Sequence, residues 1–208
     1  MQRLHLDDRE ASTRTVAVLQ AGDVVVVPTD TVYGLAALAG DEGARQRIYE
    51  AKGRPAQLHL PVMAASLDQV GLLGVDFTPA AHALAARWWP GPLTLIFGFA
   101  PDQDRPAWLT GRDEVAVRIP NHSFMLSVLR QTGPLLVTSA NTHGQDTAPL
   151  ADEAAQDLAP QVSLVVDGGT LETTPSTLVS LRGAEPVVER VGTISAAEIA
   201  ETLAEVKK

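Results

Sequence analysis

Four consecutive valines, Val24–Val27, follow a Gly-Asp pair and stop at Pro28. β-Branched side chains favour extended backbone, and an apolar run without polar alternation is typical of a strand that is buried on both faces. Such a strand requires other layers of structure to cover both of its faces. The run therefore predicts the interior of a sheet with helices packed against it.

The rest of the chain alternates between helical and extended patterns. Asp41 is a suitable N-cap for a helix that ends at Lys52, before Gly53 and Pro55. Further helices are predicted at 7–21, 79–89, 122–130 and 152–158 and from Ser195 onward, and further strands at 60–63, 93–99, 115–119, 135–138, 164–166, 177–180 and 186–189. Because the spacing is uneven and some strands follow one another directly, we expect an α/β fold with a mixed, twisted sheet.

Length and hydrophobicity suggest one domain over residues 1–208, since 45% of the 208 residues are hydrophobic and can build a substantial core. No apolar run approaches the roughly 18 residues that cross a bilayer. The N-terminal residues also lack the apolar stretch of a secretion signal. We therefore expect a cytoplasmic protein that is not associated with a membrane.

Several kinds of chemistry are disfavoured by what the chain lacks. It has no cysteine, which excludes a thiolate nucleophile and a zinc site built on sulfur. Its formal net charge of −9 argues against tight, non-specific binding to a phosphate backbone. The five histidines show no metal-ligand spacing, and the usual phosphate-loop, dinucleotide, nucleophile-elbow and zinc-protease motifs are absent. No metal site is predicted.

Polar side chains stand out where the predicted strands begin or end, which is where functional residues of α/β proteins often gather. Residues 28–35 (PTDTVYGL) follow the valine run, residues 138–144 (TSANTHG) end another apolar strand, and Ser176 and Thr177 open a third. Hydroxyls at such positions either satisfy a local turn or bind a polar ligand. The residues alone leave both interpretations open.

Four cations add charge to this pattern. Lys52 and Arg54 flank Gly53 at a helix end, where they either complement the helix dipole or form a small anion site. Arg118 interrupts an apolar strand, and a buried guanidinium needs an anionic partner from the protein or from a ligand such as a carboxylate. Together with Arg190, these residues predict a pocket for a small anionic ligand.

The order and wording of these segments resemble the YrdC-like family of threonylcarbamoyl-AMP synthases. The segments that carry the resemblance are 28–35 (PTDTVYGL), 52–55 (KGRP), 89–94 (WPGPLT), 117–120 (VRIP), 138–141 (TSAN) with Gly144, and the pair Ser176 and Thr177. They occur in the family's order between residues 22 and 192. Six segments in register are more specific than any one of them.

The resemblance implies a fold and a reaction. The fold is a single α/β domain whose twisted, mixed and mostly antiparallel sheet, flanked by helices, surrounds a deep, positively lined cavity. The reaction converts L-threonine, bicarbonate or CO2, and ATP into threonylcarbamoyl-AMP and pyrophosphate, for the N6-threonylcarbamoyladenosine modification of tRNA. ATP would be a substrate that carries Mg²⁺, downstream threonylcarbamoyl-transfer proteins would be partners, and contact with tRNA would be indirect.

The resemblance also implies roles for individual residues. The catalytic residues would be Lys52 and Arg54. The threonine-binding residues would be Thr29, Thr31, Arg118, Ser139 and Ser176. The ATP-binding residues would be Lys52, Arg54, Leu58, Asn141, Thr147 and Arg190.

Two departures from the family's pattern affect these expectations. Leu58 and Met63 replace polar groups that the family usually has near ATP and threonine, and we expect His59 to compensate for them. The chain also resembles the short, single-domain form of the family, so we expect partner proteins to complete the pathway.

Two other functions stay open at this level. One is a related YrdC-like enzyme that forms a carbamoyl adenylate or uses another amine, and threonine-dependent release of pyrophosphate would distinguish it from the synthase. The other is an RNA-binding member of the family, for which we would expect salt-sensitive RNA binding without ATP turnover.

Overall fold

The computed structural model describes residues 1–158 and 160–206. Its strands are β1 (Gln2–His5), β2 (Val24–Val27), β3 (Gly34–Leu38), β4 (Val62–Met63), β5 (Leu93–Phe97), β6 (Val115–Arg118), β7 (Leu135–Ser139), β8 (Val162–Asp167), β9 (Thr177–Ser180) and β10 (Val187–Arg190). Its helices are α1 (Ala11–Gln20), α2 (Glu42–Lys52), α3 (Leu67–Gly71), α4 (Pro79–Trp88), α5 (Ser123–Thr132), α6 (Ala151–Gln156) and α7 (Ala196–Val206), with a 3-10 turn at Ala107–Leu109. None of the helices in this part of the chain is long and apolar enough to cross a bilayer.

All of these strands join one sheet, in the order β1-β8-β2-β3-β7-β4-β6-β5-β9-β10. Among the described residues, five of the nine strand pairings are antiparallel and four are parallel. The α/β class and the mixed, mostly antiparallel sheet are therefore confirmed.

The four valines lie where their pattern predicted, inside the sheet between β8 and β3. Each is at most 1% exposed. Val24 and Val26 belong to a core with residues of α2, α4, α6 and α7, whereas Val25 and Val27 belong to a second core with residues of α1 and α5. Alternate side chains of a strand point to opposite faces, so this one strand stabilises both helical layers.

The predicted helices and strands are present within a few residues of their expected bounds, but two strands were missed. β1 pairs in parallel with β8 and a turn follows it, so α1 begins at Ala11 and not at residue 7. β3 starts at Gly34, inside segment 28–35, for which no strand was predicted. Its sequence has no β-branched residue, and its extended form depends on pairing with β2 and β7 on its two sides.

Close backbone contact at Gly192 secures the start of β9. A Cβ atom at this position would lie 2.1 Å from the carbonyl oxygen of Pro175. We expect Gly192→Ala to lower the free energy of unfolding by about 1–3 kcal/mol, because the two segments must separate to admit the methyl group. Urea denaturation of this variant beside Gly98→Ala, whose added Cβ would meet nothing within 4 Å, measures the effect. Equal stability of the two variants would contradict the packing described here.

Candidate functional site

A large cavity opens where the polar ends of the strands converge. Its volume is about 1190 Å³. Every site residue predicted from the sequence lies on its wall, namely Thr29, Thr31, Lys52, Arg54, Leu58, Arg118, Ser139, Asn141, Thr147, Ser176 and Arg190. His59 and Met63, at the positions that depart from the family's pattern, also lie on the wall. The fold thus brings together segments that are more than 150 residues apart in sequence.

Arg118 is held at the end of β6 by the protein itself. Its side chain is 5% exposed and forms an ion pair with Asp30, in which Nη2 lies 2.6 Å from Oδ1. Nε donates to the carbonyl of Gly91 at 3.0 Å, and Nη1 donates to the hydroxyl of Thr31 at 2.8 Å. Of the two partners considered for this guanidinium, the structure supplies the one from the protein.

The guanidinium of Arg118 has N–H hydrogens left over for a ligand. Arginine carries five N–H hydrogens, and the contacts with Gly91, Thr31 and Asp30 use one each. One hydrogen therefore remains on each terminal nitrogen, next to the cavity that the residue lines. A ligand carboxylate or phosphate oxygen suits these two donors.

Thr29 and Thr31 lie beside Arg118, and the structure fixes whether each hydroxyl donates or accepts in most of its hydrogen bonds. Thr29 donates its hydroxyl hydrogen to the carbonyl of Val32 at 2.6 Å and accepts from the backbone N–H of Thr31 at 3.1 Å. Thr31 accepts from Arg118, and its own hydrogen is left for Thr29 Oγ1, 3.2 Å away, or for a ligand. This edge of the cavity therefore presents donors, which favours a ligand oxygen.

Lys52 lies in the last turn of α2. Asp41 caps the start of this helix, and Gly53 ends it in a left-handed conformation. Its Nζ donates to the carbonyls of Ser139, at 2.6 Å, and Asn141. Burial, with a smaller effect of the nearby Arg54 cation, lowers the pKa of Lys52 to about 8. Lys52 therefore both anchors the turn after β7 and places a positive charge at the wall.

The side chain of Asn141 is used within the protein. Its Oδ1 lies 3.4 Å from Nζ of Lys52, and its Nδ2 donates to the carbonyls of Thr142 and Gln145. Asn141 thus shapes the loop that carries the cavity wall from residue 139 to residue 147. By contrast, the hydroxyl of Ser139 has no hydrogen bond among the described residues and is free to meet a ligand.

Arg54 organises the segment that departs from the family's pattern. Its Nε donates to the carbonyl of Leu58 and its Nη2 to the carbonyl of His59, both at 3.1 Å. The hydroxyl of Tyr49 donates to the same Leu58 carbonyl at 3.2 Å. The polar contacts of this segment are therefore made by backbone carbonyls, and the apolar Leu58 side chain does not prevent them. Met63, in turn, packs into the core that includes α5.

A second pair of hydroxyls lies on the same wall, where the oxygens of Thr94 and Ser176 are 2.7 Å apart. Arg190 donates to the carbonyl of Ser176 at 2.9 Å, and burial, together with Arg118, lowers the pKa of Arg190. Thr147 donates to the carbonyl of Thr173 at 3.0 Å. Arg190 and Arg118 both lie on the cavity wall.

The wall is not uniformly positive. Acidic residues also lie on it, namely Asp113, Glu114, Asp146 and Glu189. Arg182 forms ion pairs with Glu114 at 2.5 Å and with Glu189 at 3.8 Å, so its charge is largely compensated within the protein. The cations that face a ligand are therefore fewer than the arginines and lysine on the wall, and the expectation of a positively lined cavity holds only for part of it.

Sequence reasoning missed two polar residues of the site. Asp30, inside the PTDTVYGL segment, is the ion-pair partner of Arg118, and Thr94 shares a hydrogen bond with Ser176. Thr94 lies in β5, whose other residues are apolar. A hydroxyl within such a strand could have marked Thr94 as a site residue. For Asp30 no signal in one sequence links it to a strand that lies 88 residues further along.

Comparisons with known proteins agree with the motifs. The family model Sua5_yciO_yrdC, described as telomere recombination, matches residues 17–192. The threonylcarbamoyl-AMP synthase of Pyrococcus abyssi is 38% identical over 192 residues, covering 91% of this chain and 56% of the relative. That of Bacillus subtilis is 38% identical over 188 residues, covering 89% of this chain and 54% of the relative.

A solved structure also matches closely, the crystal structure of P. abyssi Sua5 complexed with L-threonine. Its TM-score is 0.87 at 35% sequence identity, and the match covers 98% of this chain and 61% of that one. The chain spans little more than half the length of these two curated relatives. On its motifs, its fold and these matches, the chain belongs to the Sua5/YciO/YrdC family.

Proposed function

We propose that this protein is a threonylcarbamoyl-AMP synthase, which makes threonylcarbamoyl-AMP and pyrophosphate from L-threonine, bicarbonate or CO2, and ATP. The observation that carries the proposal is the gathering of all the predicted site residues on one cavity wall. Relatives named threonylcarbamoyl-AMP synthase, one of them solved with L-threonine, support it. The product would serve the N6-threonylcarbamoyladenosine modification of tRNA.

Threonine would bind through its carboxylate at Arg118. The two remaining guanidinium hydrogens and the hydroxyl of Thr31 are donors suited to carboxylate oxygens. Thr29 would fix the orientation of Thr31, while Ser139 and Ser176 would contact other polar groups of the amino acid from neighbouring parts of the wall. This arrangement would fix the position of the amine, which must react.

ATP would lie along the rest of the wall, with its phosphates near Lys52, Arg54 and Arg190. Leu58, Asn141 and Thr147 would line the nucleotide. The threonine nitrogen would bond to the carbon of CO2 and release a proton, and a carbamate oxygen would then attack the α-phosphorus. The bond from this phosphorus to the pyrophosphate oxygen breaks as pyrophosphate leaves.

Such a reaction requires positioning and charge compensation and no covalent nucleophile. The cations at 52 and 54 would stabilise the negative charge that develops on the phosphates, which is the catalytic role proposed for Lys52 and Arg54. Mg²⁺ would enter with the nucleotide, bound to the phosphate oxygens whose charge it neutralises.

The pathway around this reaction is also part of the proposal. Threonylcarbamoyl-AMP is an activated intermediate, so transfer proteins must accept it and deliver the group to tRNA. The net charge of −9 disfavours direct binding of tRNA by this chain. We place the reaction in the cytoplasm, where ATP and tRNA are available, and treat the whole 1–208 chain as one domain.

The proposed activity is tested by measuring pyrophosphate release from ATP, Mg²⁺ and bicarbonate, with and without amino acid. We expect release to depend on L-threonine and to stay at background with no amino acid. Carbamoyl phosphate in place of threonine and bicarbonate tests the related carbamoyl-adenylate activity. Pyrophosphate release that is indifferent to threonine would reject the proposal.

The lowered pKa of Lys52 gives the site a testable pH dependence. Because the free protein loses the Lys52 charge as the pH rises through about 8, affinity for the ATP phosphates should be nearly constant below about pH 7, fall about twofold by pH 8 and fall more steeply above it. The decline approaches tenfold per pH unit, the limit for one proton taken up on binding. Calorimetric titration with a non-hydrolysable ATP analogue from pH 7 to 10 measures it. The Lys52→Met variant should lose the dependence, and a wild-type affinity that is the same at pH 7.5 and 9.5 would contradict this role.

A further inference from the structure

We propose that Asp30 determines substrate specificity at Arg118: its negative charge makes the site select a zwitterionic amino acid over a simple carboxylate anion. The inference rests on the proposed function, since it concerns the ligand that binds beside Arg118. It assigns a role to a residue that contacts the ligand only through its neighbour.

The ion-pair partner of Asp30 among the described residues is Arg118. Its Oδ1 accepts from Nη2 of Arg118 at 2.6 Å, whereas its Oδ2 is buried and has no hydrogen-bond partner within residues 1–158 and 160–206. His122 also lies near it, and the pKa of this histidine is lowered by burial against the opposing attraction of Asp30. An imidazole of this kind is largely neutral near pH 7 and adds no second cation. The carboxylate therefore keeps a field that reaches the adjoining cavity.

A ligand bound to Arg118 must share the guanidinium with Asp30. A carboxylate on the two remaining hydrogens lies near the Asp30 carboxylate and is repelled by it. In an α-amino acid, the ammonium group is one carbon away from the carboxylate, so its attraction to Asp30 offsets much of this repulsion. A carboxylate without an amine has no such offset. At an effective dielectric constant of about 20, an uncompensated charge at this range changes affinity by at least about tenfold.

The two threonine hydroxyls beside Arg118 do not make this distinction. Thr31 presents a donor that serves a carboxylate oxygen equally well in both kinds of ligand, and its partner Thr29 is committed to Val32. A negative charge beside the guanidinium does distinguish an amino acid from the same acid without its amine, because only the ammonium group is attracted to it. Asp30 is the acid that touches the guanidinium.

The test compares L-threonine with (R)-3-hydroxybutyrate, which is threonine without its α-amine. Calorimetry gives both dissociation constants at pH 7 in the wild type, in Asp30→Asn and in Asp146→Asn, which removes an acid from the same wall without touching Arg118. The wild type should bind hydroxybutyrate at least tenfold more weakly than threonine. That ratio should fall about tenfold in Asp30→Asn, which keeps an oxygen acceptor for Nη2, and should not change in Asp146→Asn.

The outcomes separate the two proposals. A wild type that binds no threonine removes the proposed function. A wild type that binds threonine, with the same ratio in Asp30→Asn as in the wild type, overturns only the role of Asp30. If Asp30→Asn does not fold by circular dichroism, Asp30→Ser serves as the second uncharged variant with the same expected ratio. If neither folds, the wild-type ratio decides, and equal affinity for the two ligands overturns the inference.

Discussion

Arg118→Met is expected to lower kcat/KM for threonine by at least about 30-fold, because truncating one partner of a buried, hydrogen-bonded charge pair costs roughly 2–5 kcal/mol in binding. The two unused hydrogens of this guanidinium are the donors proposed for the substrate carboxylate. Affinity for ATP should change far less. Steady-state kinetics with threonine varied at saturating ATP measures the effect.

The same substitution should also destabilise the fold. Without Arg118, the carboxylate of Asp30 is buried with no partner, a state that costs about 3–5 kcal/mol. The double variant Arg118→Met, Asp30→Asn removes that charge and should recover much of the stability in urea denaturation without recovering activity. A single variant that keeps wild-type affinity for threonine, or a double variant with restored activity, would contradict the role given to Arg118.

Arg54→Ala and Lys52→Ala should each reduce turnover by about 100-fold or more, the usual effect of removing one group that stabilises charge in a transition state. Arg54 also holds the carbonyls of Leu58 and His59, and Lys52 holds those of Ser139 and Asn141. Each substitution therefore removes a charge and loosens one part of the wall. We expect both variants to keep the wild-type circular dichroism spectrum.

A matched control separates charge at the site from charge on the helix. Arg45 lies on the same helix, α2, and pairs with Glu42 at 2.5 Å near the surface. Such i,i+3 pairs contribute only a few tenths of a kcal/mol, so Arg45→Ala should leave turnover nearly unchanged. Full activity in both the Arg54 and Lys52 variants would show that the assignment to the phosphates is wrong.

Much of the fold could be predicted because local patterns and tertiary structure agree. Val24–Val27 is apolar at every position and is buried on both faces, and α2 begins after Asp41 and ends before Gly53 as its cap residues indicated. β3 could not be predicted, since its Gly-Leu-Ala-Ala-Leu sequence is weakly extended by itself and its geometry comes from its neighbours.

In the site, too, some features follow from local sequence and others depend on tertiary contacts. Arg118 was identifiable because a cation within an apolar strand is unusual, whereas the identity of its partner depends on how the β2–β3 turn meets the end of β6. Around Leu58, the side chains alone do not show which groups make the polar contacts. There, the polar contacts are made by backbone carbonyls, to which Arg54 and Tyr49 donate. Side-chain identity in a sequence says little about contacts of that kind.

The central claim is that one cavity joins threonine, inorganic carbon and the adenylate of ATP. Incubating the protein with ATP, Mg²⁺, L-threonine and either ¹²C- or ¹³C-bicarbonate, followed by rapid mass spectrometry of the nucleotides, tests it most directly. The claim predicts a threonylcarbamoyl-AMP species that gains one mass unit with the labelled bicarbonate and appears in step with pyrophosphate. A nucleotide pool that contains no threonine-dependent, carbon-labelled adenylate, from protein that is folded and binds ATP, would contradict it.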